Sequence, residues 1–173
     1  MTRTGELRET APRGPLSLRC FGDQAIEING QRVSVLTVHA AKAFFLLALS
    51  PEFSLESREL GGLLWPDAPE SRLASRLATM TWQMRAAVGD EAWRIQRSRT
   101  SHVLEIDPDC VDLVVFYRNA ELLRTATIKN ESEKLRAFVF ETLRSPLLPE
   151  WSHEPWVQQE QKKITTLEAE LTH

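Results

Sequence analysis

The chain has 173 residues, 42% of them apolar and 26% charged, with a net charge of −3; that is enough apolar matter for one ordinary core, or for a small domain with a helical appendage. No apolar run approaches the roughly 18 residues that span a bilayer, and the opening MTRTGELRETAPRGP lacks the apolar segment of a secretory signal, so a cytoplasmic protein with no membrane partner is expected. Cys20 and Cys110 have neither CxxC nor Cys/His spacing, which argues against a disulfide framework and a zinc site and for buried, reduced thiols.

Residues 1–15 combine charge with two prolines and two glycines and are expected to form a flexible tail. From Leu16 the apolar residues alternate around Gly22-Asp23, and Asn29-Gly30 is a strong two-residue hairpin signal leading into Gln31 to Val35. A small antiparallel sheet of three strands is predicted. His39 to Ser50 follows as a helix apolar enough on Phe44, Phe45, Leu46, Leu47 and Leu49 to need cover on most sides, and Pro51 blocks its continuation. A second, shorter helix is predicted over Leu55 to Trp65. Its Gly61-Gly62 pair costs about 1 kcal/mol per glycine relative to Ala, which a close helix approach would compensate.

The third helix is the most informative stretch. Leu73, Leu77, Met80, Met84 and Val88 recur at three- and four-residue steps and form a core stripe, while Arg72, Ser75, Arg76, Thr79, Trp82 and Gln83 project the other way. Gly89 supplies a stop. Two short segments, Trp93 to Arg97 and His102 to Ile106, then flank the polar turn Ser98-Arg99-Thr100-Ser101 as a hairpin. Between Ser71 and Val103 stand six Arg against only Asp90 and Glu91, in a chain whose total charge is negative.

Asp107-Pro108-Asp109 reads as a turn, after which Leu113, Phe116, Tyr117, Ala120 and Leu123 mark a fourth helix. A fifth begins at Asn130, where Asn130 and Glu133 have capping-box form, and a sixth is capped by Ser152 and carries Trp156, Val157, Ile164, Leu167 and Leu171. Net charge is +1 over residues 1–106 and −4 over residues 107–173, so the two halves are expected to have different tasks.

Sheet, three helices and hairpin in that order predict an α+β fold: a winged helix-turn-helix with an N-terminal antiparallel sheet and a C-terminal wing, followed by a small α-helical region with tetratricopeptide-like (TPR-like) helices. The stretches Leu18 to Gly30, Lys42 to Leu49, Leu63-Leu64-Trp65-Pro66, Arg85 to Gly89 and Val103 to Asp107 resemble the OmpR-type DNA-binding domain of the Streptomyces antibiotic regulatory protein (SARP) family. SPLLPEWSHEPWVQQEQ and VDLVVFYRNAE resemble the start of the bacterial transcriptional activator domain that follows it in that family. The resemblance implies an OmpR-type domain over residues 16–107 and a partial, truncated activator domain over residues 108–173.

No Gly-rich phosphate loop, GxSxG, HExxH or paired carboxylate setting is present, and His39, His102, His153 and His173 are scattered, so neither an enzyme nor a metal or cofactor site is expected. A duplex binder needs Arg or Lys on its docking face and an element of helical diameter for the major groove; the third helix has both. The resemblance assigns Arg72, Ser75, Arg76, Thr79 and Gln83 to the groove, Arg85 to the helix end, and Arg97, Arg99 and Thr100 of the wing to the adjacent minor groove or backbone. Trp82 is read either as packing against the wing or as a sugar-stacking or polymerase-facing residue, Trp65 as core, and Trp93 as a wing-base anchor. Trp156 and Ile164 mark an apolar face that either folds back on the preceding helices or pairs between chains; the resemblance favours head-to-tail oligomers on tandem repeats, with RNA polymerase as a further partner. The expected function is a sequence-specific transcriptional regulator that binds double-stranded DNA, in the family manner an activator. The alternative is a protein-interaction adaptor on a winged-helix scaffold that has lost DNA binding, for which the negative net charge and the single arginine in Trp82 to Ala87 argue.

Overall fold

A computed structural model describes residues 15–34, 36–126 and 129–172; except for Pro15, the expected tail lies outside them. The architecture is mixed α/β, with two small three-stranded sheets and six α-helices among the described residues. Contacts divide these residues into two units, Pro15–Leu18 with Ala25–Val111 and Arg19–Gln24 with Asp112–Thr172.

In the first unit, β1 (Leu16–Arg19), β2 (Ala25–Ile28) and β3 (Gln31–Arg32) form a sheet in that order. β2 and β3 are antiparallel, and Asn29 and Gly30 both adopt positive φ, 51° and 79°, as a two-residue hairpin of matching twist requires. Helix α1 (Val38–Ala48) begins where the Thr37 hydroxyl accepts from the Ala40 N–H, and buries Ala40, Ala43, Phe44, Phe45, Leu46, Leu47 and Ala48. Its apolar faces are covered on nearly all sides, as its composition demanded.

The second helix starts later than its sequence pattern suggests. Ser54–Glu56 form strand β4, and α2 spans only Ser57–Leu64. Leu55 fits a helical apolar spacing, but its backbone pairs with His102, far along the chain, and that ladder outweighs the local preference. Gly61 meets the expected close approach: a Cβ there would lie 3.3 Å from the Leu73 side chain and 3.5 Å from that of Leu77. Gly62 has open space around it, so it carries the entropic cost without a steric reason. Gly62→Ala is therefore expected to raise stability by about 0.5–1 kcal/mol, read as a higher urea midpoint with an unchanged m-value.

Helix α3 (Glu70–Val88) buries Leu77, Met80, Thr81, Met84 and Val88 and ends at Gly89, whose φ of 57° an L side chain resists. A 3₁₀ segment over Gly89–Arg94 leads into β5 (Ile95–Arg97), which β6 (Ser101–Leu104) pairs on one side while pairing β4 on the other, all antiparallel. Trp93, expected to anchor the base of this hairpin, is 58% exposed, because it falls in the 3₁₀ segment and Ile95 takes the buried position instead.

At the centre of this unit lies a polar link. His102 is wholly buried; its Nδ1 is 2.9 Å from the Ser57 hydroxyl and its Nε2 is 3.1 Å from that of Thr81. Thr81 donates its proton to the Leu77 carbonyl, so it accepts from Nε2–H, which leaves Nδ1 to accept from Ser57. One neutral imidazole thereby ties β6 to α2 and to α3. Burial and the nearby Arg97 and Arg85 charges lower its pKa to about 4.

The second unit consists of α4 (Asp112–Thr125), α5 (Lys129–Leu143), α6 (Pro155–Thr172) and the Arg19–Gln24 segment. α4 contacts both other helices. Asp112 accepts from the backbone N–H groups of Cys20 (2.7 Å) and Phe21 (3.1 Å), and Gly22 N–H donates to the Pro146 carbonyl. The Tyr117 hydroxyl donates to Glu160 at 2.6 Å, and Lys163 pairs with the other Glu160 oxygen at 2.8 Å. Helix α6 starts at Pro155, one turn beyond the expected Ser152 cap, because residues 149–151 form a 3₁₀ turn of their own. The expected capping box rests on Asn130, whose side chain lies outside the described residues. Cys20 and Cys110 are buried thiols outside any disulfide, and burial pushes both upward in pKa.

Candidate nucleic-acid interface

The spacing of α3 decides which polar side chains can act together. Arg72, Arg76, Thr79 and Gln83 follow one another at i, i+4, i+7 and i+11, a single stripe on a helix, and Ser75 lies beside it. All but the half-buried Gln83 are exposed, and no acidic residue interrupts the stripe. Because Leu77, Met80 and Met84 face the core, burial of that neighbouring face holds the stripe outward.

Ser75, Arg76, Thr79 and Gln83 line one wall of a cleft of about 320 Å³ whose other wall is Thr37, His39 and Trp65. The Trp65 ring stacks on His39 at 5.0 Å between centroids, and the Arg76 guanidinium lies over Trp65 at 5.8 Å. This ladder limits the freedom of Arg76 without burying its charge. Trp65 is thus half-buried rather than core, since His39 and Arg76 cover its faces and leave the rest open. Thr37 and His39 escaped the sequence reading as site residues; the signal for Thr37 was its place just ahead of an apolar helix, where a threonine caps.

Arg85 stands apart from this stripe. Nine residues beyond Arg76, it lies about 180° around the helix, and its Nε donates to the Ile95 carbonyl at 3.0 Å. It ties α3 to β5 from the helix end, where the resemblance placed it. With Trp93, Gln96 and Arg97 it lines a second cleft, of about 430 Å³, on the hairpin side. Arg94 lies over the Trp93 ring at 4.4 Å. At the hairpin tip Arg97, Arg99 and Thr100 are all exposed. The Ser98 hydroxyl accepts from the N–H groups of Thr100 and Ser101 and sits 2.9 Å from the Ser101 hydroxyl, so the tip is shaped by its own side chains.

Of the residues expected to dock partners, Trp82 is 69% exposed on α3. Trp156 and Ile164 are 8% and 1% exposed. They form part of the core of their own unit, with Trp156 at 6.1 Å from the Trp151 ring, because α6 folds back onto α4. The face thus folds back within its own unit instead of pairing between chains through Trp156 and Ile164, since its apolar area is already covered within one chain.

Among the described residues, no group of three or more His, Cys, Asp or Glu is placed to hold a metal ion, and no helix is long and apolar enough to cross a membrane.

No family profile and no curated protein sequence matches the chain. Among solved structures, Mycobacterium tuberculosis EmbR in complex with a low-affinity phosphopeptide is similar in fold: the TM-score is 0.70, the identity 16%, and the match covers 91% of this chain and 43% of EmbR. The chain thus spans less than half the length of that protein.

Proposed function

We propose that this chain is a sequence-specific DNA-binding transcriptional regulator of SARP type, in which residues 16–107 act as a winged helix-turn-helix and residues 108–173 as a TPR-like helical region of the activator kind. Likeness in fold to EmbR, a SARP-family regulator, supports a regulatory role. The observation that carries the reading is the uninterrupted outward stripe Arg72, Arg76, Thr79 and Gln83 on a helix of 19 residues. A helix of that length is about 28 Å long and fits a major groove about 12 Å wide. Arg72 and Arg76 would meet phosphate or guanine, and Ser75 and Thr79 phosphate or a thymine methyl. Arg97, Arg99 and Thr100 at the hairpin tip would reach the neighbouring backbone or minor groove. RNA polymerase and further copies of the chain on DNA are partners in keeping with this reading, through surfaces other than the buried Trp156 and Ile164.

Arg76→Ala is expected to weaken binding to a selected duplex by about 1–3 kcal/mol and to relax preference at one base pair if Arg76 reads a base; a phosphate contact gives a smaller, uniform loss. Fluorescence anisotropy on matched and scrambled duplexes separates the two. Wild-type affinity for both duplexes would remove Arg76 from the interface.

The exposure of Trp82 and Trp93 favours a second reading, an adaptor, since exposed aromatic residues flanked by arginine suit protein interfaces. In that case partner capture would depend on Trp82 and Trp93 while no duplex bound.

A further inference from the structure

Of the two arginines in the outward stripe, Arg76 lies over an aromatic ring, with its guanidinium carbon 5.8 Å from the centre of Trp65. Arg72, one turn earlier, has no such support among the described residues. Trp65 is itself fixed: its backbone N–H donates to the Gly61 carbonyl at 2.9 Å, and its ring stacks on His39 with 5.0 Å between centroids and an interplanar angle of 26°. The support is built from α1 and the end of α2, and it reaches an arginine of α3.

The mode of this contact decides what Arg76 has left to offer. An ion pair with a carboxylate would use the N–H groups of the guanidinium, whereas a ring face attracts the cation through its quadrupole and leaves the planar N–H fork to other acceptors. Glu70, the acidic residue nearest to Arg76 in sequence, pairs with Arg58 at 3.4 Å instead. An unsupported arginine samples many rotamers, and ordering it against a duplex lowers affinity by a factor of roughly three to ten. Held on Trp65, Arg76 meets part of that cost in the free protein. Displacing water from the pair on docking strengthens the attraction further.

We propose that Trp65 is a positioning residue for duplex recognition: its ring, stacked on His39, holds the Arg76 guanidinium in place and leaves its N–H fork to the acceptors of the duplex. The proposal rests on the DNA-binding reading above and adds a residue that acts through Arg76.

The test uses the full chain and a duplex recovered from a randomised library, with affinity measured for wild type, Trp65→Leu, Arg76→Ala and the double variant. Trp65→Leu is expected to weaken binding by roughly three- to tenfold when Arg76 is present and to have little effect once Arg76 is replaced by Ala. With Arg72→Ala as the background instead, the full Trp65→Leu loss is expected to remain. A ring that only packs α1 against α2 would lower affinity by the same factor in every background. Because Trp65→Leu also removes packing, a second arm keeps the shape of the ring: tryptophan analogues carrying successively more fluorine, placed at position 65, weaken the negative face of the indole. Affinity is expected to fall stepwise along that series in the protein with Arg76 and to stay level in Arg76→Ala. Duplex binding in which Trp65→Leu acts equally with and without Arg76, the fluorine series has no slope, or Trp65→Leu tightens the complex overturns this inference alone. Absence of duplex binding overturns it together with the reading beneath it.

Discussion

Lowering the pH from 7 to 4 is expected to remove about 3 kcal/mol of stability from the unit built around His102. In the unfolded chain the imidazole takes a proton near pH 6.5, whereas in the fold it does so only at about 4. Between those values the unfolded state holds more protons, so stability rises with pH; the contribution is complete above about 6.5 and is lost as pH falls toward 4. Geometry supplies the cause, because the neutral ring already accepts from Ser57 and donates to Thr81 in a site with no exposure to water. His102→Gln can accept and donate in similar places but does not titrate. Its urea midpoint is expected to be lower than wild type at pH 7 and to fall less on acidification. The carboxylates titrate in both proteins, so the difference between the two acid limbs belongs to His102. Parallel limbs would contradict the assignment.

Asp112→Ala is expected to cost the second unit about 3 kcal/mol, since removing the carboxylate leaves the Cys20 and Phe21 N–H groups without their acceptor in a partly buried site. Burial raises the Asp112 pKa while the two backbone donors pull it down, so the carboxylate is held there by those donors. Asp112→Asn keeps one acceptor oxygen and should lose roughly half as much. Urea denaturation followed by tryptophan fluorescence reports on this unit through Trp151 and Trp156. Equal losses below about 1 kcal/mol for both variants would show that the Arg19–Gln24 segment is held by other contacts.

How much of this was legible in the sequence depends on how far each residue's partners lie along the chain. Helices α1, α3 and α4 fall within a residue or two of their expected bounds, because each carries an apolar stripe of helical period and a local stop or start. The Asn29-Gly30 turn was equally plain. β4 was not, since Leu55 satisfies a helical pattern and only pairing with β6 reveals it as a strand. His102 gave no local sign of its role; Ser57 and Thr81 are brought to it by the fold. Asp112 read simply as the start of a helix, though its oxygens bind residues near the other end of the chain.

The candidate site divides in the same way. Arg72, Ser75, Arg76, Thr79 and Gln83 could be grouped from spacing alone, and the structure keeps them together. Arg85 separates from them by the same spacing, but its hydrogen bond to the Ile95 carbonyl of β5 is visible only in the fold. The apolar stripe with Trp156 and Ile164 was correctly seen as a face needing cover, but sequence gives no means of telling cover by α4 from cover by another chain. The Thr37 hydroxyl donates to the Gln83 side-chain oxygen at 2.8 Å across 46 positions, so that contact belongs entirely to the tertiary structure.

The DNA-binding reading is tested most directly by selecting duplexes from a randomised library with the full chain at low salt and then measuring affinity for the recovered sequence as salt is raised. If Arg72, Arg76, Arg97 and Arg99 neutralise phosphates, log affinity should fall linearly with log salt with a slope of about −3 to −4, at about −0.9 per contact, and Arg72→Ala or Arg99→Ala should each make it shallower by nearly one. No enriched sequence, or an affinity unchanged between low and moderate salt, would contradict it.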